Sequence, residues 1–264
     1  MTTLPPLVPP LPKAIDRNRH LPARAAFGWL ARGWMDLWTQ PVPSLLYGLG
    51  VAAICALAVW AMTAFGWDQV LFPALAGILI LGPALAAGLY EKSRRIAAGE
   101  PFTPLAMLRP GHGAGYHILF IGAVLCTLML VWMRAAVLLF ALFWGWRAFP
   151  GFDQVTQMLI GTPNGWGLLI VGTLVGGLFA ALGFAISAFS IPALIDRKLD
   201  AFTAMGLSMT YVWHNLPVML VWGGIVLALW LVGFATAFAA FIVVFPWLGH
   251  ATWHAYQAIK DPDQ

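Results

Sequence analysis

Charge is what this sequence has least of. Asp, Glu, Lys and Arg make up 9% of its 264 residues, against roughly 25% in a soluble domain. A chain so short of polar side chains cannot cover a water-facing surface. That excludes an ordinary soluble globular protein and makes lipid the solvent for much of the outside. Cysteine is nearly absent as well. Cys55 and Cys126 lie inside apolar runs, form no CxxC and stand in no Cys/His spacing typical of zinc, so they read as small buried side chains. There is no P-loop, no GxGxxG with an acidic partner and no GxSxG. Without a catalytic motif, the chain reads as a protein that is not an enzyme. Midplane carboxylates, usual in proton-coupled transport, are also missing. The prolines that interrupt the apolar runs lie near one end of them, unlike the midplane breaks of secondary transporters.

What is present is apolar. Hydrophobic residues make up 61% of the chain, with 14 Trp and 17 Phe, which suits interfacial aromatic belts. A helix needs about 20 apolar residues to cross roughly 30 Å of hydrocarbon. Six runs meet or approach that length: 45–65, 70–90, 116–133, 166–189, 216–231 and 234–248. The last two form one stretch too long for a single untilted helix, so a tight hairpin is expected near Leu231–Gly233. The fold class predicted is all-α, a polytopic transmembrane bundle of six spans.

Basic residues set the orientation. Lys13, Arg17, Arg19, Arg24 and Arg32 precede the first span, and Lys92, Arg94, Arg95 and Arg109 separate the second from the third. Arg197 and Lys198 separate the fourth from the fifth, and Lys260 follows the sixth. Only Arg134 and Arg147 fall toward the other side. The positive-inside rule makes the richer side cytoplasmic, with both termini there. A pI near 9.3 therefore reflects topology and does not point to nucleic acid. Residues 1–23, rich in proline and with no cleavable apolar stretch, read as a flexible cytoplasmic tail. Residues 24–258 form the membrane domain and 259–264 a short C-terminal tail.

An internal repeat refines the bundle. EPFTPLAM at 100–107 and DAFTAMGL at 200–207 share an acid, Phe-Thr and a large apolar residue, and each precedes a hairpin. Phe27, Leu30, Trp34 and Trp38 repeat the spacing of Phe202, Met205, Met209 and Trp213, one stripe along a helix. The second, fourth and sixth spans close with Pro83-Ala84-Leu85, Pro192-Ala193-Leu194 and Pro246-Trp247-Leu248. The expected unit is an amphipathic helix lying in the interface followed by two spans, three times over. Trp34, Trp38 and Trp213 would then sit at headgroup level, and Arg94 and Arg95, in EKSRR directly after the second span, would meet anionic headgroups.

Histidines gather on the same side. His112 and His117 precede the third span, His214 precedes the fifth, and His250 and His254 end the sixth, with His20 in the tail. His250 and His254 share a helix face, a spacing that suits a metal or haem. Interfacial hydrogen bonding suits the same residues. Arg134 reads as snorkelling to the outer headgroups, and 135–146 as either an outer-face helix or an overlong third span. Gly172, Gly176 and Ala180 give a small-residue face for close helix packing.

The segments GPALAAGLYEKSRRIAAGE (82–100) and FPWLGHATWHAYQAI (245–259) resemble the bacterial integral membrane family catalogued as domain of unknown function 2189. The resemblance runs from about Trp34 to Tyr256. It implies an inner-membrane protein, and some members carry a cytochrome c oxidase subunit label; it supplies no catalytic residues. Three functions are expected, in this order. The first is a non-catalytic accessory or assembly partner of a membrane complex, touching lipid and other membrane subunits. The second is a haem- or metal-handling protein using His250, His254, His214 and His117. The third is a carrier of a lipid or small hydrophobic molecule.

Overall fold

The computed structural model describes residues 16–67, 70–101, 103–108, 114–145 and 152–261. Most of the N-terminal tail, Phe102, Arg109, His112, Arg147 and the last three residues lie outside the described set, as do 146–150. Among the described residues the chain is helical throughout: α1 (Ala25–Trp38), α2 (Pro41–Ala64), α3 (Leu71–Leu85), α4 (Ala87–Ala98), α5 (Gly115–Trp144), α6 (Phe152–Ile160), α7 (Pro163–Ser187), α8 (Ser190–Asp196), α9 (Ala201–His214), α10 (Leu216–Ala235) and α11 (Phe241–Ile259). Local chemistry sets the boundaries. α2 and α7 begin with proline at the first helical position, where a missing N–H costs nothing. Thr162 and Asp200 cap α7 and α9 by accepting from Gly165 N and Thr203 N. Gly99, at φ +65°, ends α4.

Five segments are long and apolar enough to cross a membrane: Pro41–Ala64, Leu71–Ala98, Gly115–Trp144, Pro163–Asp196 and Leu216–Ala235. Two of them are broken helices. α3 and α4 meet at Ala86, three residues past Pro83; α7 and α8 meet at Ala188–Phe189, where Pro192 cannot donate to the Ala188 carbonyl. A neighbouring helix stitches each break. Tyr47 Oη of α2 donates to Leu85 O at 2.6 Å. Ser208 Oγ of α9 donates to Ala185 O at 2.7 Å and accepts from Phe189 N at 3.0 Å. Backbone groups freed in lipid must find such partners.

The expected sixth span is not among the five. α11 is the most enclosed of the long helices, with Phe241, Val244, Leu248, His250, Ala251, Trp253 and Tyr256 all buried. α1, α2, α4 and α10 pack around it. Its start lies by Trp230 and Gly233 of α10, and its end lies by the start of α10, where Arg19 bonds both Asn215 and the Ile259 carbonyl. So α11 retraces α10 inside a jacket of other helices. The hairpin turn falls at Thr236–Ala240, slightly later than Leu231–Gly233. The stretch 135–144 continues α5 into a 30-residue helix, about 45 Å at 1.5 Å per residue.

The three-fold repeat is not reproduced as a whole, although two of its units share features. α1 and α9 are both 14-residue helices entering a hairpin. Each buries a stripe in the protein: Ala26, Trp29, Gly33 and Asp36 in one, Ala201, Ala204, Ser208 and Tyr211 in the other. The stripes read from the sequence face outward, since Phe27, Trp34, Trp38, Phe202, Met209 and Trp213 are all exposed. In the middle unit the described residues before the hairpin form a short 3-10 turn at Pro104–Leu108.

The described ends make specific contacts. Arg19 donates to Ile259 O, Lys260 O and Asp261 Oδ1, and Asp261 is buried and takes Tyr211 Oη at 3.2 Å. A guanidinium on the last carbonyls of a helix also complements its dipole. The described ends of the chain therefore meet on one face of the bundle.

Candidate functional site

Two features stand out, on opposite faces of α4 and α11. The first is a buried polar chain where α1, α2, α4 and α11 meet. Gly33 and Gly48 let it form: a Cβ at either would collide with the α11 backbone, at Ala251 and at the Ile242 carbonyl, so α1 and α2 lie directly against that helix. Lys92 Nζ donates to Gln40 O at 2.9 Å and Ser44 Oγ at 2.8 Å. Ser44 Oγ lies 2.9 Å from His250 Nε2, and His250 Nδ1 lies 2.8 Å from Ser93 Oγ. Ser93 Oγ donates to Asp36 Oδ2 at 2.6 Å, and His254 Nε2 meets the same oxygen at 2.9 Å. Burial pushes the Asp36 carboxyl up, but hydrogen bonds from His254 and Ser93 and the electrostatic attraction of its surroundings outweigh it, holding the group below its ordinary value.

His250 and His254 thus share a face, as their spacing requires, but their nitrogens are engaged. Both ring nitrogens of His250 meet serines, and His254 Nε2 meets Asp36. His214 is exposed with Nδ1 on the Thr210 carbonyl, and His117 stacks edge-on to Tyr116. Among the described residues no group of three or more His, Cys, Asp or Glu could hold a metal. The four histidines are not assembled into one ligand set.

Arg94 and Arg95 also differ from expectation. Arg94 makes a bidentate pair with buried Glu91 (2.9 and 3.0 Å) and another with Glu100, and Arg95 Nε reaches Glu91 at 2.6 Å. They neutralise a buried carboxylate and do not extend as free cations toward headgroups. Trp34, Trp38 and Trp213 are outward-facing, with Trp34 edge-on to Trp247 at 5.0 Å. Arg134 is exposed on α5.

The second feature is an apolar groove. Two clefts, of about 630 and 950 Å³, share Leu79, Ile80, Gly177, Ala180, Leu227 and Trp230 as walls and therefore adjoin end to end as one groove line. The groove runs between α3, α7 and α10, where α7 and α10 stand apart. Along α7 it extends from Leu168 to Ala188, close to 30 Å at 1.5 Å per residue. The small-residue face is divided. Gly176 receives the Trp132 indole, whereas a Cβ on Gly172 or Gly177 would meet open space, and both residues line the groove with Ala180. Polar side chains in the lining are few: Tyr90, Ser187 and Thr252 in one cleft and Thr173 in the other.

Sequence reasoning missed the polar chain, because Asp36 with Ser44, Lys92 with Ser93, and His250 with His254 come from three distant segments. One signal was there: Glu91-Lys92-Ser93 continues an apolar run without a break, and such ionisable residues need internal partners.

Residues 71–196, from α3 through α8, match the family described as "Predicted integral membrane protein (DUF2189)". The resemblance seen in the sequence holds over that range, and the chain is an integral membrane protein with multiple helical spans. No curated protein and no solved structure matches the chain.

Proposed function

We propose that this integral membrane protein is a non-catalytic binder that holds an acyl chain of a membrane lipid in the groove between α3, α7 and α10. The observation that carries the reading is the groove's form. Its length along α7 equals the hydrocarbon thickness of roughly 30 Å. Its central walls are Leu, Ile, Gly, Ala and Trp, and its lining is overwhelmingly apolar in both clefts. An apolar tail matches that lining, and a bilayer presents such tails on every side. The topology that accompanies this reading has six crossings of a bacterial inner membrane, with α11 as a sheltered sixth and both ends cytoplasmic. Its supports are the return path of α11, the meeting of Arg19 with Ile259 and the basic bias of that face.

Gly177 offers the test. It lines both clefts, and a side chain there meets open space. Gly177→Phe should fill the groove without straining the fold. Protein extracted in mild detergent is expected to retain lipid by native mass spectrometry, and the variant to lose it at unchanged thermal stability. Equal lipid retention in the two proteins would overturn the reading. An accessory-subunit role is favoured by a separate observation, the small residues Gly172, Gly177 and Ala180 in the groove wall, which suit close approach of a helix. A partner helix seated there would appear as a co-purifying polypeptide, lost in Gly177→Phe, with no retained lipid.

A further inference from the structure

The polar chain around His250 is an ordered series of donors, and the chemistry of its ends fixes the order. Lys92, as an ammonium, can only donate. Since it gives to Ser44 Oγ, the Ser44 hydroxyl turns to His250 Nε2. His250 then carries its proton on Nδ1 and gives it to Ser93 Oγ, which leaves the Ser93 hydroxyl for the Asp36 carboxylate. Every donor points from amine to carboxylate. Exposure is graded along the same line: Lys92 is 1% exposed and Ser44, Ser93 and His250 not at all, while the Asp36 and His254 side chains reach 11% and 18%.

We propose that this chain is a proton path through which the buried Lys92 amine exchanges its proton with water beside His254. In one passage each proton moves along its own hydrogen bond. Lys92 gives one to Ser44, Ser44 to His250 Nε2, His250 Nδ1 to Ser93, and Ser93 to Asp36. Lys92 ends as a neutral amine and Asp36 as a carboxylic acid. Ser44, His250 and Ser93 each lose one proton and gain one, and His250 changes tautomer. All four hydrogen bonds survive with donor and acceptor exchanged, so neither end state leaves a buried polar group unpaired. Asp36 then passes its proton to water at its exposed edge, where His254 holds the carboxylate, and the return runs in reverse.

The other ionisable groups packed near α11 stay outside this line. On α4, Glu91 is held by Arg94 and Arg95, and Tyr90 bonds Thr252. On α2, Tyr47 is engaged at Leu85 O. Arg32 is on the exposed side of α1. On α8, Asp196 takes Tyr256 and Lys260, and α10 has no ionisable side chain. The inference stands independently of the groove.

The test is hydrogen exchange of the Lys92 amine, followed by NMR on protein labelled with ¹⁵N-lysine in nanodiscs and assigned with Lys92→Met. Ser93→Ala removes one hydroxyl from the path. His250→Gln keeps a donor and an acceptor at the imidazole position but cannot relay a proton as imidazole does. Both variants are expected to slow exchange at least tenfold. A purely structural chain gives the opposite sign, because a lost buried hydrogen bond loosens packing and admits water. Unchanged or faster exchange in Ser93→Ala overturns the proposal, and that variant decides alone if His250→Gln does not fold.

Discussion

At Gly33 and Gly48 the α11 backbone occupies the space a side chain would need. Gly33→Ala and Gly48→Ala must push α1 or α2 away, at a cost of about 1–3 kcal/mol each, typical of overpacking. Thermal unfolding in nanodiscs should show both melting below the wild type. Gly28→Ala, on the open side of α1 with nothing near its Cβ, should melt no lower than wild type. Asp36 gives a second residue-level expectation. Its folded pKa lies below the ordinary value of 3.8, so the unfolded chain binds its proton first as pH falls. The stabilisation is complete above that ordinary value and is lost as pH drops through the depressed one. Asp36→Asn should flatten this acid limb of the stability profile while lowering stability at neutral pH. An unchanged acid limb would mean that the His254 and Ser93 contacts do not hold the carboxylate.

At the scale of elements, α1 and α9 carry two apolar faces each, one against the protein and one outward. Phe27, Trp34 and Trp38 on α1 and Phe202 and Trp213 on α9 make the outer faces, for which we propose a place at the headgroup boundary of one leaflet. Spin labels at Phe27→Cys and Phe202→Cys should report the same shallow depth from paired oxygen and nickel-chelate relaxation. A label in bulk water or at the bilayer centre would contradict the placement. These stripes were legible because a helix in lipid still shows its 3.6-residue period. The spans were legible because bilayer thickness imposes a length on any apolar run. What α11 does was not legible. FPWLGHATWHAYQAI mixes apolar and polar residues as an interfacial helix would, and only packing by α1, α2 and α4 shows that its histidines face inward. Nor could the spacing of His250 and His254 separate a metal pair from a hydrogen-bonded one, since their partners Asp36, Ser44 and Ser93 lie more than 150 residues away in sequence. The break beyond Pro83 was readable, but its repair by Tyr47 was not, because a lone tyrosine in an apolar helix carries no periodic signal.

At the scale of the molecule, the number of crossings decides where the ends lie. Five spans alone would place the start of α1 and the end of α11 on opposite sides of the membrane. In the topology proposed above, the Arg19 contacts with Ile259, Lys260 and Asp261 reflect ends on the same side, and α11 recrosses the bundle. It does so without facing much lipid, so it tolerates the polar residues an exposed span could not carry. Sidedness follows from this path and can be measured. With Cys55 and Cys126 replaced, single cysteines at the exposed positions Arg32, Lys198 and Gln157 report three loops or helix faces. Arg32→Cys and Lys198→Cys should react with a membrane-impermeant maleimide only after the inner face is opened, and Gln157→Cys should react in intact cells. The positive-inside bias predicts that sense of the result, whereas the shared label pattern of the first two depends on the fold alone. Were Arg32→Cys and Lys198→Cys to label from opposite sides, α1 and the α8–α9 junction could not share the face on which Asn215, Arg19 and Ile259 meet.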